Sequence, residues 1–244
     1  MLLLLSSLSS AAIVNVLQPA VGPPELGNSG SLSLSARVLQ GNETRLSATG
    51  AAGFRHVSEA HLVRVQISGE RAMAFDEVLA DKAFAHVRHV WTFHDPFATF
   101  AFVQSDRNAF RSLQLRSLAG GGVQARIWRN DWTEAAFGVG AMAEYQLLSE
   151  GAVDSDAGLH PRGTSFLTMA ISRDGKISLA STSFFQPRLD DLSNWRFLEE
   201  LALTVDVTRR VDWSLVAKLE LDSQPVPGNE GYDLSLVNGL VFSF

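Results

Sequence analysis

WRFLEELALTVDVTRRVDWSLVAKLEL, residues 195–221, reads as a strand, a turn and a second strand. Leu201, Leu203, Val205 and Val207 alternate with Ala202, Thr204 and Asp206. Val211, Trp213, Leu215, Ala217 and Leu219 alternate with Asp212, Ser214, Lys218 and Glu220. A period of two belongs to strands with one apolar and one polar face. A three-residue turn at Thr208-Arg209-Arg210 sets Val205 against Trp213, Leu203 against Leu215 and Glu200 against Lys218. A slip of one residue would exchange the two faces, so this agreement identifies an antiparallel hairpin.

The same beat runs from Ser29 to the end of the chain. About twelve alternating segments are predicted, an even number of the kind membrane barrels use. They span 29–40, 44–57, 60–71, 80–91, 97–105, 110–128, 132–147, 163–173, 177–186, 195–207, 211–221 and 232–244. A turn at Asp174-Gly175-Lys176 sets Phe166 against Phe184, Thr168 against Thr182 and Ala170 against Ala180. Gly175 suits the left-handed position of such a turn. A turn at Arg129-Asn130-Asp131 sets Ala125 against Ala135, Arg126 against Glu134 and Arg116 against Glu144. Short connections alternate with longer ones at 72–79, 106–109, 148–162, 187–194 and 222–231, with 41–43 the exception, as in outer-membrane barrels.

The chain has 244 residues, enough for one large domain. Hydrophobic residues make up 46% and charged residues 19%, with mean hydropathy +0.08. That is too apolar for a disordered chain and low in charge for a soluble surface. A net charge of −6 argues against a nucleic-acid partner. Cysteine is absent, which excludes disulfides, thiolate metal sites and a cysteine nucleophile. Residues 1–26 are expected to be signal-like or disordered. MLLLLSSLSSAAIVNVLQPA is apolar and uncharged, and Ser10-Ala11-Ala12 offers a small-residue cleavage site. No window has the length of a membrane helix.

A twelve-stranded barrel encloses more space than side chains fill comfortably, since about eight strands already make a packed or one-ligand interior. A polar lumen with the apolar face toward lipid avoids that problem. Strands of about ten residues cross a bilayer when tilted, and closure removes edges that hydrocarbon penalises. The expected architecture is all-β: a single transmembrane up-and-down β-barrel over residues 27–244, in the bacterial outer membrane. Its expected role is structural, or passive passage of small solutes and ions. A membrane-embedded lipid-acting enzyme and a soluble periplasmic lipid-binding barrel are the alternatives. Trp91, Trp128, Trp132, Trp195 and Trp213 fall near strand ends, where interfacial belts form.

The polar beat carries the candidate lumen charges Arg64, Glu70, Arg88, Arg116, Arg126, Glu134, Glu144, Glu200, Lys218 and Glu220. They read as wall-lining charges that pair across strands or set an ion preference. With Arg116 opposite Glu144 in a wet lumen, Glu144→Ala is expected to cost about 1 kcal/mol. Gly120, Gly122, Gly138 and Gly140 form a patch without side chains on the same face, a place for a ligand or a folded-in loop, or relief of curvature. His86 and His89 point to opposite faces, which is wrong for shared metal ligation. His56 and His61 flank one turn. Asp154, Asp156, Asp190 and Asp191 lie in loops, where solvated acids are common and calcium bridging to lipopolysaccharide is the sharper reading. No Gly-x-Ser-x-Gly elbow is present. No catalytic residue, metal or cofactor is assigned.

GNSGSLSLS at 27–35, QPRLDDLSNWR at 186–196 and the closing GYDLSLVNGLVFSF at 231–244 resemble the salt-induced outer membrane protein family. The resemblance runs over nearly all of residues 27–244. It implies an outer-membrane barrel and no catalytic residues. It also implies outer-membrane lipid, lipopolysaccharide and the barrel-assembly machinery as partners, with Phe242 and Phe244 in the terminal strand as the assembly signal. The uncharged leader and the scarcity of Tyr depart from the family pattern.

Overall fold

The computed structural model describes residues 13–39, 45–74, 77–109, 113–148, 157–208, 211–225 and 230–242. They contain β1 (Gly27–Leu39), β2 (Arg45–Val57), β3 (His61–Ala74), β4 (Glu77–His94), β5 (Phe97–Asn108) and β6 (Leu113–Arg129). The second half contains β7 (Thr133–Leu148), β8 (Gly158–Arg173), β9 (Ile177–Pro187), β10 (Trp195–Thr208), β11 (Val211–Asp222) and β12 (Tyr232–Phe242). The strands form one antiparallel up-and-down sheet in chain order. No ladder joins β1 to β12 among the described residues, so the sheet is open between its first and last strands.

Two of the three hairpins have the expected register. Phe166 opposes Phe184, Thr168 opposes Thr182 and Ala170 opposes Ala180. Val205 opposes Trp213, Leu203 opposes Leu215 and Glu200 opposes Lys218. The β6–β7 hairpin differs by two residues. Ala125 opposes Phe137 and Arg116 opposes Gln146, while Glu144 opposes Leu118. The turn is Asn130-Asp131-Trp132, closed by Asn130 Oδ1, which accepts from the amides of Trp132 (3.0 Å) and Thr133 (2.7 Å). An irregularity between Arg126 and Trp128 absorbs the extra residue. A two-residue shift preserves which face each side chain takes, so alternation alone could not detect it. The expected long connection at 72–79 is likewise shorter, because β3 runs to Ala74 and β4 starts at Glu77.

The sheet is strongly curled. In a flat sheet β3 and β10 would lie about 34 Å apart, seven strand spacings. Yet adjacent residues of one segment reach both. The Arg64 guanidinium on β3 donates to the Val16 carbonyl, and Asn15 Nδ2 donates to Glu200 Oε1 on β10 (2.9 Å). Residues 13–17 therefore run along the concave side, entering from the rim of short turns. Ile13 is buried with Phe100, Phe166, Phe184 and Leu198, and Leu17, Val90 and Phe102 pack around them.

The two faces differ as the alternation demands. Leu34, Val87, Val103, Val123, Leu167 and Leu234 on the convex face are exposed. Arg64, His86, Arg88, Arg116, Glu144, Arg162 and Lys218 on the concave face are buried. Trp91, Trp128 and Trp132 are exposed near the short-turn rim.

Candidate functional site

The concave face carries the candidate site, and its charges fall into distinct groups. The most buried group centres on Glu144 of β7. Arg162 on β8 and Arg196 on β10 both ion-pair with its carboxylate, Arg196 Nη1 at 2.7 Å. Gln146 Nε2 donates to the same carboxylate at 3.0 Å. Arg162 donates from Nη2 to Asn194 Oδ1 (2.8 Å) and from Nη1 to the Gln186 carbonyl (3.2 Å). Arg196 Nε also reaches Asp222 Oδ2 at 3.3 Å. Exposures of 1% for Glu144, 0% for Arg162 and 4% for Arg196 place the cluster out of solvent.

The expected Arg116–Glu144 pair is therefore corrected. Arg116 Nε binds Asp106 Oδ1 at 3.1 Å instead, because the β6–β7 register places Gln146 opposite it. Arg126 and Glu134 are also parted by that register. Arg126 pairs with Asp95 and Glu134 with Arg129 (3.0 Å). Glu70 pairs with Lys82 at 3.7 Å. Glu200 opposes Lys218, but Lys218 Nζ binds Glu220 Oε1 at 2.8 Å while Glu200 accepts from Asn15. Arg64 and Arg88 stand directly opposite each other on β3 and β4.

Arg162 and Arg196 are absent from the sequence-derived set. Arg162 lies one residue before the predicted start of its strand and so reads as loop. Arg196 shares the beat of Leu198 and Glu200, and that phase alone would have placed it on the polar face.

The glycine patch is covered. A Cβ on Gly120 would lie 2.6 Å from Met142 Cβ, and one on Gly122 would lie 2.6 Å from Gly140 Cα and 2.9 Å from Phe100 Cζ. Gly138 directly opposes Phe166 across the ladder. The Phe100 and Phe166 rings meet edge to face, centroids 5.5 Å apart. The glycines thus provide a floor on which these two rings lie.

The remaining candidates separate as follows. His86 is buried on the concave face, its Nδ1 3.1 Å from Gln104 Oε1, while His89 is exposed. His61 Nδ1 meets His89 Nε2 at 3.0 Å, and His56 Nδ1 meets Asn28 Oδ1 at 2.7 Å. The turn thus does not bring His56 and His61 together as partners. No group of three or more metal-ligating side chains occurs among the described residues. Asp154, Asp156 and Phe244 lie outside the described residues, and Phe242 ends β12.

Asp190 and Asp191 sit in the β9–β10 connection. Arg188 Nε binds Asp190 Oδ1 at 2.9 Å, and Asp191 Oδ1 accepts from Ser193 Oγ at 2.6 Å. The Ser193 hydroxyl bond, then the Ser193 amide and Arg188, hold the Asp191 carboxyl below its ordinary value. Burial opposes the shift at Asp190, where His160 and Arg188 nevertheless lower the carboxyl. A depressed folded value stabilises the loop above the unfolded value of about 3.9, and that contribution fades as pH falls through the folded value. Pepsin should spare this connection at pH 5 and cut it with increasing speed as pH falls below the unfolded carboxyl value of about 3.9. A cleavage rate following pepsin's own pH profile alone would refute the coupling.

Comparison with known proteins gives few matches. No curated protein matches the chain. The solved structure "NanC porin structure in rhombohedral crystal form" is similar at 9% identity and a TM-score of 0.49, over 89% of this chain and 99% of that one. A second structure, described as "Unveiling the Mechanism Behind the in-meso Crystallization of Membrane Proteins", is similar at 13% identity and a TM-score of 0.40. That likeness covers 89% of this chain and 83% of the other. Residues 32–244 match the family model "Protein of unknown function, DUF481", and the chain belongs to that family.

Proposed function

We infer that the curled sheet closes into a twelve-stranded transmembrane β-barrel of the bacterial outer membrane, which admits small solutes and ions passively and catalyses no reaction. One observation carries this reading: the faces are inverted relative to a soluble protein. Arginines and glutamates are buried on the concave side, whereas leucines, valines and phenylalanines are exposed on the convex side. Lipid is the solvent that such a convex face requires. A soluble lipid-binding barrel requires the opposite arrangement. Outer-membrane lipid and lipopolysaccharide become its contacts, and the barrel-assembly machinery its route of insertion. The resemblance to salt-induced outer membrane proteins adds that the protein rises with external salt, which immunoblotting across salt steps checks.

β1 and β12 run antiparallel in an even-stranded sheet, so they can pair directly. The cysteine-free chain makes closure testable. Single cysteines on β1, at Ser31, Ser33 or Ser35, combined with single cysteines on β12, at Asp233, Ser235 or Val237, should yield one register of disulfides in membranes. No cross-link in any pairing overturns closure. The protein should also require detergent and shift on unboiled gels when heated. Planar bilayers should then show steady conductance, and replacing Ile13 and Val16 with Ser should increase it by loosening the segment on the wall. Absence of conductance in both forms ends the passage reading and leaves a structural barrel.

A further inference from the structure

Arg55, Arg64 and Arg88 stand directly opposite one another on β2, β3 and β4. Like charges in opposed positions repel. Elsewhere the same face avoids this: Lys82 has Glu70, Arg116 has Asp106 and Lys218 has Glu220. None of the three arginines has a carboxylate partner among the described residues. Arg64 and Arg88 are only 8% and 4% exposed, so water screens them little. Arg55 Nε, Arg88 Nε and His86 Nε2 are buried without a hydrogen-bond partner. Buried charge of one sign without an anion is costly.

What stands beside the cluster has the shape of a ligand. Arg64 Nη1 donates to the main-chain carbonyl of Val16. Arg88 lies over the Phe100 and Phe166 rings, 4.3 and 5.1 Å from their centroids, and its Nη2 reaches Gln124 Oε1 at 3.3 Å. A cavity of about 30 Å³ remains between Ile13, Val16, His86, Arg88, Phe102 and Gln104. Residues 13–16 thus bring one partly negative oxygen to Arg64 and two apolar side chains to an aromatic wall.

We propose that the Arg55–Arg64–Arg88 ladder is a binding site for a small organic carboxylate carried on a compact apolar or aromatic body, with residues 13–16 as a built-in competitor. The Val16 carbonyl marks the position of the anionic oxygen. Ile13 and Val16 mark the position of the apolar body, against Phe100, Phe102 and Phe166. Guanidinium forks match the two oxygens of a carboxylate in a way a point charge cannot. The inference rests on the reading of a polar lumen that solutes enter, and it names their chemical class.

Benzoate titrated calorimetrically into the full chain in detergent is the test. Saturable binding is expected, at least tenfold weaker in Arg64→Gln. Arg55→Gln, at a half-buried position, should weaken it several-fold with less demand on folding. The double variant Ile13→Ala, Val16→Ala should bind several-fold more tightly, because an internal competitor lowers apparent affinity by the fraction of open sites. A purely structural role for these residues would not produce that gain. No saturable binding in the double variant, or unchanged affinity in both arginine variants, overturns the site. Inorganic phosphate binding as tightly as benzoate overturns the apolar half of the assignment. Bilayer recording separates this from the passage reading. Benzoate binding without conductance ends passage and keeps the site, whereas conductance without benzoate binding ends the site and keeps passage.

Discussion

Glu144→Ala is expected to cost about 3–5 kcal/mol, or to prevent assembly, because it removes the buried carboxylate that the Arg162 and Arg196 guanidinium groups share. The sequence alone suggests about 1 kcal/mol for an exposed cross-strand pair in a wet lumen. The structure replaces both premises. Glu144 is 1% exposed rather than wet, and its partners are Arg162 and Arg196 rather than Arg116. Arg162 has no exposure at all, so neither water nor salt can compensate it. Glu144→Gln should be milder, since it keeps an acceptor oxygen but loses the charge. Denaturant unfolding followed by heat-modifiable gel mobility measures both. A double-mutant cycle should show coupling above about 1 kcal/mol between Glu144 and Arg196, residues in direct contact. Coupling no larger than that between Glu144 and Arg126 would refute the cluster.

The second large effect lies at the glycine floor. Gly140→Ala should destabilise by about 1–3 kcal/mol, the range for overpacking a filled interior. Its Cβ would lie 2.9 Å from both the Gly121 carbonyl carbon and the Gly122 Cα, main-chain atoms that cannot rotate away. Relief requires the β6 and β7 backbones to separate where Gly122 opposes Gly140. Gly163→Ala provides the contrast. Its nearest neighbours, Leu189 Cδ2 and Pro187 Cγ, stand at 3.4 Å, an ordinary contact. It should change stability by less than about 0.5 kcal/mol. Equal unfolding midpoints for the two variants would contradict the close approach. Because Phe100 and Phe166 rest on this floor, Gly140→Ala should also disturb their packing, visible as altered near-ultraviolet circular dichroism.

Much of this protein is legible in its residue order. Alternation sets where strands lie and which side chains share a face, because successive residues of an extended chain point oppositely. The β8–β9 hairpin through Asp174-Gly175 and the β10–β11 hairpin have the pairings that the residue order predicts. The β6–β7 hairpin shows where that logic stops. Arg126 with Glu134 and Arg116 with Glu144 look complementary in a register two residues from the real one. A two-residue shift keeps both faces intact, and only the turn geometry at Asn130 distinguishes them. Arg162 was unreadable for a different reason: Gly158, Pro161 and Gly163 interrupt the apolar–polar alternation around it in the first half of β8.

The twelve strands, their antiparallel order and the membership of the two faces are thus consequences of local period and short turns. Which face turns inward came from the tertiary structure, because it depends on the sense of curl of the whole sheet. It alone joined Glu144, Arg162 and Arg196, which lie on β7, β8 and β10. It alone laid residues 13–17 between β3 and β10, a contact made by curvature and invisible to any local pattern.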